Sequence, residues 1–379
     1  MKNTINTIIA TGALAATASA ELPLFTGLEA GLTGRARYES VSTQGAADST
    51  IQNATFSVSP YFKTADWEGF SAFIETEHTM TELEDYAADP VTDEVNQAYV
   101  QYSGEGITAK VGRQKIILDG AAFVGNVGWR QNEQTFDAAS LSYKSGDVSL
   151  FAAYADRVNR IFGSEASGAL KEFKDGGVFM FNAKYKNSGA YTYLIDFDQS
   201  ANSTNGNTYG GYTTLSGVYM EAAYQEDTAN TGGAAAGQES FYGHIKYSAK
   251  AAGGTGTIGL EYLGSGFHTP LATVHAYNGF ADTFIAERLF GTGDGIADFY
   301  ASYVSKSLLP YGLVFKGFLH YYMDEAFEEV HGWEADAVIA KKLSDNVTLV
   351  NKMSYYFGDN GGTYANDKAV FTTQLDFKF

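Results

Sequence analysis

The chain ends on Phe371-Thr372-Thr373-Gln374-Leu375-Asp376-Phe377-Lys378-Phe379. Phe371, Thr373, Leu375, Phe377 and Phe379 fall on one side of an extended backbone, and Thr372, Gln374, Asp376 and Lys378 fall on the other. A β-strand sends successive side chains to opposite faces, so this run predicts a strand with one apolar and one hydrated face.

The same period of two recurs upstream. Leu28, Ala30, Leu32, Ala36 and Tyr38 alternate with Glu29, Arg35, Arg37 and Glu39, and Phe179, Phe181, Ala183 and Tyr185 alternate with Met180, Asn182 and Lys184. Tyr191, Tyr193, Ile195 and Phe197 alternate with Thr192, Asp196 and Asp198. Leu313, Phe315, Gly317, Leu319 and Tyr321 alternate with Lys316, His320 and Tyr322, and Trp333, Ala335, Ala337 and Ile339 alternate with Glu334 and Asp336. Strands with one lipid face and one water face predict an all-β fold, a closed antiparallel transmembrane β-barrel. An open sheet edge would strand its N–H and C=O groups in hydrocarbon. The terminal strand has the form by which outer-membrane barrels are recognised for assembly, so the barrel assembly machinery is an expected partner through the strand ending at Phe379.

Tight turns are legible at 64–66, 103–106, 144–147, 186–189, 215–217, 250–254, 305–309 and 343–346. Longer linkers fall near 41–52, 79–94, 115–133, 159–175, 199–207, 227–238, 264–294, 324–330 and 358–366. Eight short and nine long connections join eighteen strands, or sixteen if the weak run 209–214 is not a strand. An even count puts both ends on the periplasmic side, with the short turns there and the long loops outside. Either count leaves an aqueous lumen, whereas about eight strands would be filled by their own side chains.

Residues 1–20 carry Lys2, an apolar stretch around Ile8, Ile9, Leu14 and Ala15, and then Ala18-Ser19-Ala20. That order predicts a signal peptide cleaved after Ala20, with the barrel over 21–379 in the bacterial outer membrane. No later window is apolar enough for a membrane helix, and the mean hydropathy is −0.18. The chain has 0 cysteines, which excludes disulfides and thiolate sites, and a formal charge of −19, which argues against nucleic acid as a partner. With 26 Tyr, 26 Phe and 42 Gly against 5 Pro, the composition suits strands with aromatic girdles, although a soluble β-solenoid or sandwich shares it.

Two long linkers are too apolar for free loops. One holds Ile116, Ile117, Leu118, Phe123, Val124, Val127 and Trp129; the other holds Phe267, Leu271, Val274, Tyr277, Phe280, Phe284 and Ile285. The expectation is that at least one folds into the lumen while the other caps the mouth, with packing between loops outside the membrane as the alternative. Inward parity assigns Arg35, Arg37, Lys110, Arg157, Lys184, Lys246, Lys316 and Lys352 to the pore wall, with Glu75, Glu77, Asp196, Glu221, Glu261, Glu334 and Asp336. Basic residues gather in the first half and acidic ones partly in the second, a distribution that could set a transverse field. Arg113 has the outward parity of Ile107, Ala109 and Val111, and a bulge at Gly112 would turn it inward.

The run from Val111 to Leu141, VGRQKIILDGAAFVGNVGWRQNEQTFDAASL, resembles the strand, loop and strand of alginate-export-like outer-membrane porins through Gly112-Arg113-Gln114 and the stretch from Trp129 to Ala138. TPLATVHAYNGFAD, Thr269 to Asp282, resembles them too. The resemblance implies an eighteen-stranded barrel passing an acidic polysaccharide or its fragments. It implies that Arg113 and Arg130 meet the substrate and that Asp137 is a lumen partner. Guanidinium groups pair bidentately with carboxylates, so a ladder of Arg and Lys would offer a uronate chain successive weak sites. The acidic total and the many lumen carboxylates suit uptake of oligosaccharides or other small solutes equally well, and a general, cation-selective diffusion porin is the runner-up. Monomer and trimer are both compatible with these strands.

An outer-membrane hydrolase is the competing class. His78, His244, His268, His275, His320 and His331 show no nucleophile or metal spacing, so no enzyme activity, cofactor or metal is expected. An adhesive or structural barrel is the third class, which conductance would separate from a channel.

Overall fold

The computed structural model describes residues 27–45, 48–81, 83, 89–164, 166, 171–197, 205–227, 239–291, 293–359 and 364–379. The leader expected at 1–20 lies outside the described residues. Eighteen antiparallel strands form one closed sheet. They are β1 (Glu29–Gln44), β2 (Ser49–Lys63), β3 (Phe70–Thr81), β4 (Thr92–Gly104), β5 (Ile107–Gln114) and β6 (Thr135–Ser145). Next come β7 (Val148–Asn159), β8 (Gly176–Tyr185), β9 (Ser188–Phe197), β10 (Gly206–Leu215), β11 (Val218–Asp227) and β12 (Glu239–Ala251). The last six are β13 (Gly254–Leu263), β14 (Ile296–Ser305), β15 (Val314–Met323), β16 (Val330–Lys342), β17 (Val347–Gly358) and β18 (Asp367–Lys378). The run 209–214 is part of β10, so the count is eighteen and not sixteen.

Each strand pairs with its sequence neighbours, and β1 closes the ring on β18, with Arg35 opposite Asp376 and Gln44 opposite Asp367. Leu32 and Phe379 exchange backbone hydrogen bonds of 2.9 and 2.8 Å, so the terminal aromatic belongs to the seam. Closure removes every sheet edge that lipid would face. Outside, Val111, Ile258 and Leu319 are exposed; inside, Thr372, Gln374, Asn182 and Glu334 are buried. The short turns lie where the sequence predicts them. The first linker is tighter than predicted, since β1 runs to Gln44 and β2 begins at Ser49.

Parity departs from the sequence reading in β9. Tyr191, Tyr193, Ile195 and Phe197 are buried on the lumen side, and Asp196 is on the outer face. Across the register, Thr192 lies opposite the lipid-facing Phe181, and Tyr191 lies opposite the inward Asn182. Alternation fixes the period of a strand but not its polarity when one face must bury aromatics against something inside the barrel. Register shifts occur between β3 and β4, between β6 and β7, and between β15 and β16. The second inserts Asp156, so Arg157 pairs opposite Asp137 and takes the outward side instead of the inward side of Ala153 and Ala155.

Candidate functional site

Both apolar linkers enter the barrel. The segment 115–134, between β5 and β6, and the segment 264–295, between β13 and β14, meet each other through a parallel bridge between Val124 and Leu271. Gly125 N donates to Leu271 O at 2.8 Å and Thr273 N donates to Ala121 O at 3.0 Å. Gln134 Nε2 seals the joint by donating to Gly125 O and Leu271 O, both at 2.9 Å. The predicted division into one lumen segment and one cap is therefore corrected: apolar side chains on both segments are buried most completely against the wall and each other. The second segment carries the only α-helix among the described residues, α1 (Ile285–Phe290).

The 115–134 segment is held by a polar wall on one side and an aromatic one on the other. Arg35 donates to the carbonyls of Trp129 (2.8 Å), Arg130 (2.9 Å) and Gly128 (3.2 Å), and pairs with Asp376 at 2.6 Å. Arg37 donates to Trp129 O and Gln374 and lies 3.3 Å from Asp89. Arg130 joins Glu39 (2.9 Å) to Asp282 (3.0 Å), with Asp89 at 3.6 Å. Gln131 accepts from Ser57 and donates to Thr55 on β2. Asn132 accepts from Thr79 on β3 and Thr92 on β4. Lys115 pairs with Glu133 and with Glu75, the latter at 3.0 Å; burial acts to lower its ammonium, but these two carboxylates outweigh burial and raise it. Glu77 accepts from Glu133 N at 3.2 Å. On the opposite side, Phe123 packs with Tyr191 and Tyr242 at centroid distances of 5.1 Å and with Phe267 at 6.0 Å.

The 264–295 segment is pinned to the second half of the barrel. Arg288, 1% exposed, donates to Asn278 (2.7 Å) and to Glu261 (3.0 Å), while its guanidinium covers Tyr277 at 4.4 Å. Burial opposes that charge, but Glu261 outweighs it and keeps the guanidinium firmly protonated. Ala281 N donates to Glu334 at 2.7 Å, and Ser354 donates to the same carboxylate oxygen at 2.7 Å. Phe284 packs on Tyr322 at 4.5 Å and on Tyr364 at 4.6 Å.

Water-sized space remains below and above this partition. Two inner cavities of about 330 and 410 Å³ share His244, Lys246 and Tyr277. The first is also lined by Lys184, Tyr193, Tyr212, Tyr219 and Glu221. Lys246 lies over Tyr219 at 4.6 Å and makes no ion pair among the described residues; Lys184 pairs with Asp119 at 2.8 Å. A smaller outer cavity of about 50 Å³ is bounded by Arg130, Arg160, His275 and Asp282.

The model of the alginate export family matches residues 27–271, more than half of the chain. The chain belongs to the alginate export family. No curated protein matches it in sequence. Among solved structures, OccK9 (OpdG) of Pseudomonas aeruginosa superposes with a TM-score of 0.69 at 13% identity, covering 94% of this chain and 100% of that one. OpdK of the same organism, solved with vanillate, gives 0.66 at 12%, covering 93% and 99%. A BenF-like porin from Pseudomonas fluorescens Pf-5 gives 0.68 at 13%, covering 93% and 99%. The fold is that of outer-membrane porins.

Within this alginate export family barrel, the residues expected at the pore separate by what they touch. Arg35, Arg37, Arg130, Glu75, Glu77 and Glu334 face inward but are spent on holding the two segments. Asp336 is inward and buried, 3.7 Å from His320 Nε2. Lys110, Lys184, Lys246 and Lys316 keep their inward parity in the open lumen, with Lys110 over Tyr99 at 4.6 Å. Arg113 and Asp137 are corrections, as is Arg157 above. Arg113 pairs with Asp137 at 2.7 and 3.1 Å. Both lie on the face of the exposed Val111 and Leu141, since β5 and β6 keep one register. Gly112 does adopt φ +123, yet its strand runs on unbroken to Gln114, which is buried inside. The opposed charged walls are not free either, because Glu39 and Glu75 neutralise Arg130 and Lys115 in the first half. Asp282, Glu133, Lys115 and Arg288 were missed, and the signal for them was charge inside otherwise apolar linkers; Asp89, in the polar linker 79–94, carried no such signal.

Proposed function

We propose that this outer-membrane channel passes small acidic solutes, short uronate fragments included, and not a long polyanion. The observation that carries the reading is the inner vestibule, where Lys246, without an ion pair among the described residues, lines both cavities of about 330 and 410 Å³ with Tyr277, while the carboxylates there are taken up: Asp119 by Lys184, Glu221 by Tyr191 and Tyr219, Glu261 by Arg288. Ammonium groups attract a carboxylate without the deep trap of a bidentate guanidinium, and tyrosines offer apolar faces with a hydroxyl at the edge. Two inward segments that pack on each other speak against a wide, unselective pore. That OpdK was solved with vanillate, a small carboxylate, is compatible with this class. The same reading takes residues 1–20 as an export leader and the strand ending at Phe379 as the signal to the assembly machinery.

Single-channel current in a planar bilayer tests it. Anion selectivity in a salt gradient and block by oligouronates are expected, with Lys246→Gln weakening the block several-fold and Arg113→Ala leaving it unchanged. Cation selectivity with indifference to oligouronates would identify a general porin instead.

A further inference from the structure

The pinch between the outer and inner cavities holds a group of side chains that solute passage does not require. The outer cavity has no lining residue in common with the inner ones. Between them stands His275, in the 3-10 turn Val274–Ala276 and buried. Its ring lies flat on Trp129, with centroids 5.0 Å apart and planes at 7°, and on Phe280 at 5.6 Å and 19°. Nδ1 is 2.8 Å from both Asp282 carboxylate oxygens, and Nε2 contacts Lys352 Nζ. A carboxylate only accepts, so Nδ1 carries the ring proton, and Nε2, left bare, accepts from Lys352 Nζ. The Lys352 ammonium also sits over Trp129 at 3.3 Å and Phe280 at 3.9 Å, so one lysine from β17 grips a ring of each inward segment.

We infer that this group is a pH-sensitive pin: neutral His275 holds Lys352 between the two segments and keeps the outer cavity shut off from the inner ones, and protonated His275 lets go. A proton on Nε2 would leave the ring no lone pair to accept with, and the hydrogen bond from Lys352 Nζ would be lost. The charged groups facing the ring are Asp282 from its own segment, Arg130 from 115–134, Lys352 from β17 and Glu39 from β1. Lys368 of β18 reaches Asp282 O at 3.4 Å, and Arg37 of β1 covers Trp129 at 4.4 Å. Burial, with Lys352 and Arg130 adding to it and Asp282 opposing, lowers the ring from its ordinary 6.5 to about 4. Above pH 6.5 the ring is neutral whether the pin is closed or open, so it contributes nothing to opening there. As the pH falls towards 4, only the open, solvated ring takes up a proton, which favours opening by up to roughly 300-fold; below that no further gain accrues.

The inference rests on the chain being an aqueous channel and not on which solute it passes: selectivity and block read the solute, whereas the pH dependence of the current reads the pin. Currents of the full-length protein would be recorded at pH 7.5 and 4.5, with His275→Gln and Lys352→Met beside it. The expected result is a larger open fraction at pH 4.5 for the parent, no such rise for His275→Gln, and an open fraction already raised at pH 7.5 for Lys352→Met. A current indifferent to pH, or a rise that survives in His275→Gln, would overturn it. Should the variants fail to form barrels, the His275 ring can be titrated by NMR in the parent: a midpoint near 4 supports the pin and one near 6.5 refutes it.

Discussion

Arg113 and Arg130 belong to the same stretch of resemblance and carry the same charge, yet their surroundings give them opposite weights. Arg130 is the buried meeting point of Glu39, Asp89 and Asp282, which come from β1, the linker before β4 and the 264–295 segment. Removing one partner of a buried ion cluster leaves the others charged and unpaired, at a cost of about 3–5 kcal/mol. Arg130→Ala should therefore lower barrel stability in denaturant by that amount, whereas Arg113→Ala, whose partner Asp137 is part-exposed on the outer face, should cost no more than about 1 kcal/mol. Equal losses would contradict the placement of either residue. The chemistry of Trp129-Arg130-Gln131-Asn132-Glu133-Gln134 was legible in the sequence, but its use was not. Each of the polar side chains reaches a different wall or linker, and such contacts are defined only once the strands have closed around them.

At the scale of elements, the two inward segments act as a keystone. The 264–295 segment turns at Gly279, whose φ of +83 puts it in the left-handed region, and a Cβ there would lie 2.4 Å from Glu334 Cδ. Gly279→Ala must push the segment off the carboxylate that Ala281 N binds, costing about 1–3 kcal/mol locally. The expected outcome is faster protease cleavage within 264–295 of otherwise folded barrels; an unchanged rate would mean the segment is not held there. That these linkers needed something to pack against was readable from their apolar residues. That they pair with each other was not, because Val124 and Leu271 are far apart in sequence and no local pattern couples them. The inverted β9 has the same origin: tyrosines suit lipid or a packed interior equally, and the position of Phe123 decides.

For the molecule as a whole, the closed ring puts Leu319 near the middle of β15 and exposed on the outer face. A charge at mid-depth on the lipid side costs about 2–4 kcal/mol for arginine, so Leu319→Arg should reduce stability in lipid vesicles by that much, and Lys316→Arg, on the lumen side, should not. Loss of folding in both would argue against the assignment of faces. The sequence by itself determined the class, a count of eighteen or sixteen strands, the turns and most of the lipid-facing side chains, because hydrocarbon imposes a local rule on every second residue of every strand. Only the tertiary structure decided which inward charges are free. Lys246 and Arg130 look alike along the chain, and the difference between a group left in an open lumen and one buried in an ion cluster arises from partners that closure of the barrel and inward folding of two linkers bring together.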